Sequence, residues 1–198
     1  MTVPVLASGS VVRARLLSAA GLNFEVIPAN VDETALKQEF LAQHADPASI
    51  ALMLADRKAE AVSTFLPGRL VIGADQILEC DGVILSKAPD LGQARRQLLA
   101  LAGREHRLLS AVVLARDGRM VWRHLETVRL VMRAFSAAFL DTYLATEGDV
   151  VLDSVGCYHL EGRGAQLFAG LDGDYFAALG LPLFALLEAL RRLGALES

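Results

Sequence analysis

The chain has 198 residues, of which 54% are hydrophobic and 21% charged, so it holds enough apolar material to bury a sizeable core. This balance excludes a disordered or low-complexity chain. Nineteen basic and twenty-three acidic side chains leave a net charge of −4 at pH 7, and without a basic run we expect no binding to a nucleic-acid polymer.

Two further classes of protein are excluded by local patterns. The two cysteines and four histidines are scattered, which fits neither a disulfide scaffold nor a zinc site. No apolar run reaches the roughly 18 uninterrupted residues of a membrane span. The first residues lack the basic stretch of a secretory signal peptide, so we expect none. We therefore expect a cytoplasmic protein that does not contact membranes.

Apolar runs predict β-strands, and helical spacing with capping residues predicts α-helices. The last fifty residues are rich in glycine, which predicts short strands separated by turns. The order is that of a mixed α/β protein forming one domain over residues 1–198. The predicted strands are 3–7, 24–27, 70–78, 82–85, 110–116, 120–124 and 126–132, and the predicted helices are 11–20, 47–64, 91–102, 136–146 and 183–193.

A turn of small residues, 8–10, joins the first predicted strand to the first helix. Helix N-termini offer unpaired amides and a partial positive charge, so such turns bind phosphates. Arg13 falls in the first helical turn, where a cation opposes the helix dipole unless an anion lies nearby. The alternative is a capping serine beside a surface arginine.

Asp75 interrupts the most apolar predicted strand, 70–78. A carboxylate in the middle of a buried strand must be paired, metal-bound or catalytic, unless neighbouring backbone groups satisfy it. Gly73 on the same strand predicts the close approach of a ligand.

Three other charged residues are candidates for the same chemistry. Lys58 lies on or beside the apolar face of helix 47–64, where it needs an anionic partner or extends to solvent at the core edge. We expect Lys58→Ala to cost little stability, because a buried cation without its ligand is itself a strain. Lys87 follows a strand and Glu33 lies in an acidic run that can simply open a helix. Such cations and carboxylates together suit a polyanion with a divalent metal.

Seven stretches of the sequence, in order and over nearly the whole chain, resemble the Maf family. They are Leu6-Ala7-Ser8-Gly9-Ser10 with Arg13, Val31-Asp32-Glu33, Leu54 to Ala59, Ile72 to Gln76, Ser86 to Asp90, Val155 to Gly162, and Gly180 to Leu183. The resemblance implies a nucleoside triphosphate pyrophosphatase that hydrolyses the α–β phosphate bond with Mg²⁺ or Mn²⁺. It also implies a single elongated α/β domain, with a central mixed sheet flanked by helices and two lobes around a cleft, as in inosine triphosphatases. A homodimer is compatible with the resemblance.

The resemblance also implies a role for each matched position. Asp75 becomes the proton acceptor for the attacking water, and Glu33 joins it as a metal ligand. The other polar and basic matches surround the triphosphate, with the lysines counted as catalytic; they are Ser8, Arg13, Lys58 and Lys87.

Three positions bear on the preferred base. Gln76 and Glu161 resemble the branch that cleaves 7-methyl-GTP, whereas Val12 departs from the arginine or tryptophan usual there. We therefore expect house-cleaning hydrolysis of modified nucleotides such as 7-methyl-GTP. The alternative is a non-catalytic, nucleotide-binding regulator of septum formation and cell division, although such a protein is expected to have lost at least one of the charged site residues.

Overall fold

The computed structural model describes residues 3–197, so Met1, Thr2 and Ser198 of the predicted domain lie outside the described residues. The strands are β1 Val5–Leu6, β2 Glu25–Val26, β3 Val71–Cys80, β4 Val83–Leu85, β5 Glu105–Arg116, β6 Arg119–Met132 and β7 Phe168–Asp172. The α-helices are α1 Val11–Ala19, α2 Glu33–Ala42, α3 Pro47–Ser63, α4 Leu91–Leu101, α5 Ala137–Glu147, α6 Tyr175–Ala178 and α7 Leu183–Arg192, and 3₁₀ turns cover Gly148–Asp153 and Arg163–Leu167.

The strands form one seven-stranded sheet in the order β2-β1-β3-β5-β6-β7, with β4 paired to β3. β1 runs parallel to β2 and β3, whereas β4 and β7 run antiparallel to their neighbours, so the predicted mixed sheet is confirmed. Asp-Gly pairs with positive φ at 81–82 and 117–118 connect β3 to β4 and β5 to β6. Two successive positive φ values are the geometry of tight hairpin turns, for which Asp-Gly is a preferred sequence.

The chain forms two compact units. One comprises the residues up to 76, 110–126 and those from 180 onward, and the other comprises 77–109 and 127–179. The first unit contains a small apolar cluster of β1, β3 and α3 side chains. The second has a larger core built from α4, α5, β6 and the segments that follow. No helix among residues 3–197 is both long and apolar enough to span a bilayer.

The structure differs from the sequence prediction in four places. Strand β5 begins at Glu105, five residues before the predicted 110. The prediction relied on an apolar run, whereas the first residues of β5 alternate between exposed and buried positions. The predicted strands 120–124 and 126–132 form the single strand β6, and α2 is an additional helix. The glycine-rich last fifty residues form 3₁₀ turns and short helices, and β7 is the one strand among the described residues there.

Gly73 serves helix packing, so the predicted approach of a ligand at this residue is wrong. A Cβ atom built on Gly73 would collide with the carbonyl oxygen of Ala55 and lie 2.8 Å from Ala59 Cβ, both on α3. The absent side chain therefore allows α3 to lie directly on β3. Because alternate residues of a strand share a face, Asp75 also projects toward α3.

His106 is a buried histidine on β5 whose neutral form the fold selects. Its Nε2 lies 2.8 Å from the hydroxyl of Tyr158, and its Nδ1 has no hydrogen-bond partner among the described residues. Burial lowers the pKa of His106 from its ordinary 6.5 to about 4. Between these values the unfolded chain binds a proton that the folded chain does not, so stability falls as the pH drops from 6.5 towards 4.

We expect His106→Phe to flatten this acid dependence. Relative to wild type, the variant should lose roughly 3 kcal/mol less free energy of unfolding across that pH window, since one pKa unit corresponds to about 1.4 kcal/mol. Urea unfolding at a series of pH values measures the slope separately from any constant offset. The exposed His44, changed to Asn, is the matched control, and a His106→Phe slope equal to that of wild type would contradict the assignment.

Candidate active site

Asp75 and Lys58 form a buried ion pair. Lys58 Nζ lies 2.7 Å from Asp75 Oδ1, and the side chains are only 8% and 10% exposed. The same ammonium lies 2.9 Å from Oε1 of Glu33, whose side chain is largely exposed. The expected anionic partner of Lys58 is thus supplied by the protein, and the alternative of a lysine extending to solvent is wrong.

Two capped helices bring these charges to β3. Asp46 caps α3 by accepting hydrogen bonds from the amides of Ala48 and Ser49, and Ile50, Leu54 and Lys58 follow on the buried face. Asp32 caps α2 by accepting from the amide of Ala35 at 2.9 Å. Glu33 then lies in the first turn, where a carboxylate is favoured by the helix dipole. The acidic run does open a helix, and its glutamate also reaches the ion pair.

The charge of Asp75 is set by opposing influences. Burial raises the pKa of this carboxyl, while the positive charges of Lys58 and Arg13 act against the rise. The short contact with Lys58 favours the ionised form, which accepts protons and positive charge. A strongly perturbed carboxylate beside a specific partner is typical of functional sites.

Arg13 is half-buried and anchored by three hydrogen bonds, so the alternative of a surface arginine is wrong. Its Nη1 donates to Ser8 Oγ at 3.1 Å and to the carbonyl of Ala74 at 2.9 Å, and its Nε donates to the carbonyl of Gly180 at 2.9 Å. Burial lowers the pKa of Arg13, while the charges of Asp75 and Glu33 raise it. Ser10 caps α1 by accepting from the Arg13 amide, so the capping serine of the alternative interpretation is present. The turn at 8–10 is thereby fixed beside Asp75.

The predicted base-contacting residues divide between the two units. Gln76 is half-buried and donates from Nε2 to Ser110 Oγ at 2.9 Å, and Val12 is half-buried on α1. Both belong to the unit that holds Asp75. Glu161 lies in the other unit, exposed and just before a 3₁₀ turn.

Lys87 also lies in the second unit, exposed, in the irregular segment after β4. Five of the predicted residues in the first unit surround one buried centre; they are Ser8, Arg13, Glu33, Lys58 and Asp75. The roles of Lys87 and Glu161 stay predictions.

Three residues near this centre were not singled out from the sequence. Lys37 lies one helical turn after Glu33, a spacing that places both on one face of α2. Ser110 is the first residue of a predicted strand and contacts Gln76. Gly180 contributes its carbonyl to Arg13, and a side chain there would contact both Arg13 and Gln76.

Glu33 and Asp75 fit a divalent metal only together with substrate. Among residues 3–197, no three His, Cys, Asp or Glu side chains come together in a way that could hold a metal ion. The two carboxylates do converge on one cationic centre, the Lys58 ammonium. Mg²⁺ is typically bound in this manner, by one or two carboxylates with phosphate oxygens completing its shell.

We expect Lys58→Met to cost about 3–5 kcal/mol of unfolding free energy, because it leaves Asp75 buried without its partner. This reverses the expectation from the sequence, in which Lys58 had no partner within the chain. Arg57, exposed and paired with Glu60, is the matched control, and Arg57→Met should cost under about 1 kcal/mol. The double variant Lys58→Met, Asp75→Asn should recover much of the loss in urea unfolding; no recovery would contradict the buried pair.

Comparison of the sequence with known proteins identifies its family. The Maf-like protein family model matches residues 4–193. A nucleoside triphosphate pyrophosphatase of Paramagnetospirillum magneticum is 54% identical over 192 residues, covering 97% of this chain and 99% of its own. A 7-methyl-GTP pyrophosphatase of Mesorhizobium japonicum is 47% identical over 193 residues, covering 98% and 97%. With matches of this extent, the chain belongs to the Maf-like proteins.

Proposed function

We propose that this protein is a nucleoside triphosphate pyrophosphatase, which hydrolyses the bond between the α- and β-phosphates to release a nucleoside monophosphate and pyrophosphate. The observation that carries the proposal is the buried Lys58–Asp75 ion pair, with Glu33 on the same ammonium. A carboxylate and a cation held together inside the fold suit proton transfer beside a polyanion. The relatives that bear this enzymatic name support the same conclusion.

Asp75 acts as the general base in this mechanism. Water attacks the α-phosphorus, a new P–O bond forms, and the bond from the α-phosphorus to the bridging oxygen breaks. Asp75 accepts the proton that the water loses, and pyrophosphate leaves with the bridging oxygen. Lys58 keeps the carboxylate ionised until the proton arrives and places positive charge beside the reacting phosphates.

The triphosphate needs positive charge along its length. Lys58 supplies it from α3, and Lys87 and Ser8 are assigned to the triphosphate by the family resemblance. Glu33 and Asp75 would hold Mg²⁺ or Mn²⁺ jointly with phosphate oxygens. A divalent cation held there would neutralise charge that develops on the leaving pyrophosphate.

A purely regulatory, nucleotide-sensing protein is not favoured. Such a protein would not need to retain these carboxylates and cations, whereas here they are present and form one connected cluster. Relatives at 46–54% identity carry the names of enzymes. We propose the cytoplasm as the location and a homodimer as the assembly, the latter on the family resemblance alone.

The proposed substrates are guanine-type nucleotides, with 7-methyl-GTP among them. Guanine presents N1–H and a 2-amino group side by side, which a carboxylate such as Glu161 accepts as a charge-assisted pair. Gln76 would add an amide contact, oriented by its hydrogen bond to Ser110. Val12 offers no aromatic face to stack on a cationic methylated base, so we expect moderate selectivity.

We expect Asp75→Asn to lower kcat by roughly 10²–10⁴-fold, because an amide cannot accept the proton. Pyrophosphate release from a panel of nucleotides with Mg²⁺ or Mn²⁺ measures this, and circular dichroism checks that the variant is folded. The exposed, ion-paired Asp141, changed to Asn, is the control and should retain wild-type turnover. Full activity in Asp75→Asn would disprove the assigned role, and a wild-type protein that cleaves no nucleotide would disprove the proposed function.

We expect Glu161→Gln to shift selectivity away from guanine. The ratio of kcat/KM for 7-methyl-GTP over UTP should fall by the equivalent of about 1–3 kcal/mol, the range for a lost charge-assisted hydrogen bond. Kinetics with 7-methyl-GTP, GTP, UTP and dTTP on both proteins measure this ratio. A wild-type preference for UTP or dTTP, or a kcat/KM ratio that Glu161→Gln leaves unchanged, would refute the assignment of the base.

A further inference from the structure

The chain uses lysine sparingly: it contains sixteen arginines but only three lysines, Lys37, Lys58 and Lys87. Two of the three were assigned above to the triphosphate site. A lysine ammonium is a compact charge that meets phosphate oxygens from several directions, whereas the arginine fork imposes one geometry. The surroundings of the third lysine, on α2, therefore bear on the same site.

Lys37 shares a helix face with a residue that reaches the buried ion pair. It follows Glu33 by one helical turn on α2, and residues at this spacing are neighbours on the helix surface. Glu33 Oε1 lies 2.9 Å from Lys58 Nζ, which is itself 2.7 Å from Asp75, so this face of α2 is turned toward the pair. Lys37 is half-buried, while the two residues that follow it are exposed.

The charge of Lys37 belongs to this cluster. Burial lowers the pKa of Lys37, and the carboxylate of Asp75 raises it. With Lys37 included, three cations face two carboxylates; the other members are Arg13, Lys58, Glu33 and Asp75. A cluster with surplus positive charge attracts a polyanion and favours its binding.

We propose that Lys37 is a further substrate-binding residue, whose ammonium contacts a phosphate oxygen of the nucleoside triphosphate beside Lys58. The inference rests on the proposed pyrophosphatase activity and adds a contact from α2. The competing explanation is a stabilising pair with Glu33 along the helix surface. Such a pair would affect the stability of the fold and leave the affinity for phosphate unchanged.

Steady-state kinetics form the first test. Lys37→Met should raise KM for the nucleotide by about tenfold or more, the usual effect of losing one charged hydrogen bond, and change kcat much less. Lys37→Arg, which keeps the positive charge but not the compact ammonium, should restore part of the affinity. Arg57→Gln, which removes an exposed cation from the adjoining helix α3, is the matched control and should behave as wild type.

Binding of inorganic tripolyphosphate in the presence of Mg²⁺, measured by calorimetry on the full chain, is the second test and requires no turnover. We expect Lys37→Met to raise Kd by a similar factor. If the wild-type protein cleaves no nucleotide, this weaker binding still supports the phosphate contact although the proposed activity fails. An unchanged Kd overturns the role of Lys37 whatever the kinetics or melting temperature, and no wild-type binding overturns it as well.

Discussion

One ammonium group, that of Lys58, holds the first unit together at its functional centre. Taking its charge and that of Asp75 out of water is costly, so each depends on the other for stability. The contact exists because Gly73 lets α3 lie directly on β3, and Glu33 brings α2 to the same nitrogen. Three elements of the fold are therefore positioned by electrostatics as well as by apolar packing.

The same ion-pair cluster would contact both the nucleotide and the divalent cation of the proposed reaction. Phosphate oxygens that approach Lys58 compete with Glu33 and Asp75 for its protons. Carboxylates that lose part of this contact become better ligands for a divalent cation carried by the phosphates. Substrate and metal should consequently bind cooperatively, since each reduces the cost of rearranging the ion pair for the other.

The sequence predicts the parts of the site that break a strong pattern. Asp75 interrupts an apolar strand and Lys58 an apolar helix face, and both irregularities are visible locally. The sequence indicates helix α2 only through the acidic run that can open a helix. Phe40 is its one buried residue among those described, so α2 has no apolar stripe and relies on its cap and on tertiary packing. Gly73 signals a close approach, but which group approaches depends on the fold.

The hydrogen bond from Arg13 to the carbonyl of Gly180 joins residues 167 positions apart. A ribosome adds about 5–20 residues per second, so Gly180 is synthesised roughly 10–30 s after Arg13. During synthesis the turn at 8–10 and strand β3 are already present, yet Arg13 lacks one of its three anchors. The site that would handle nucleotides is therefore completed late in translation, after all seven strands of the sheet have been synthesised.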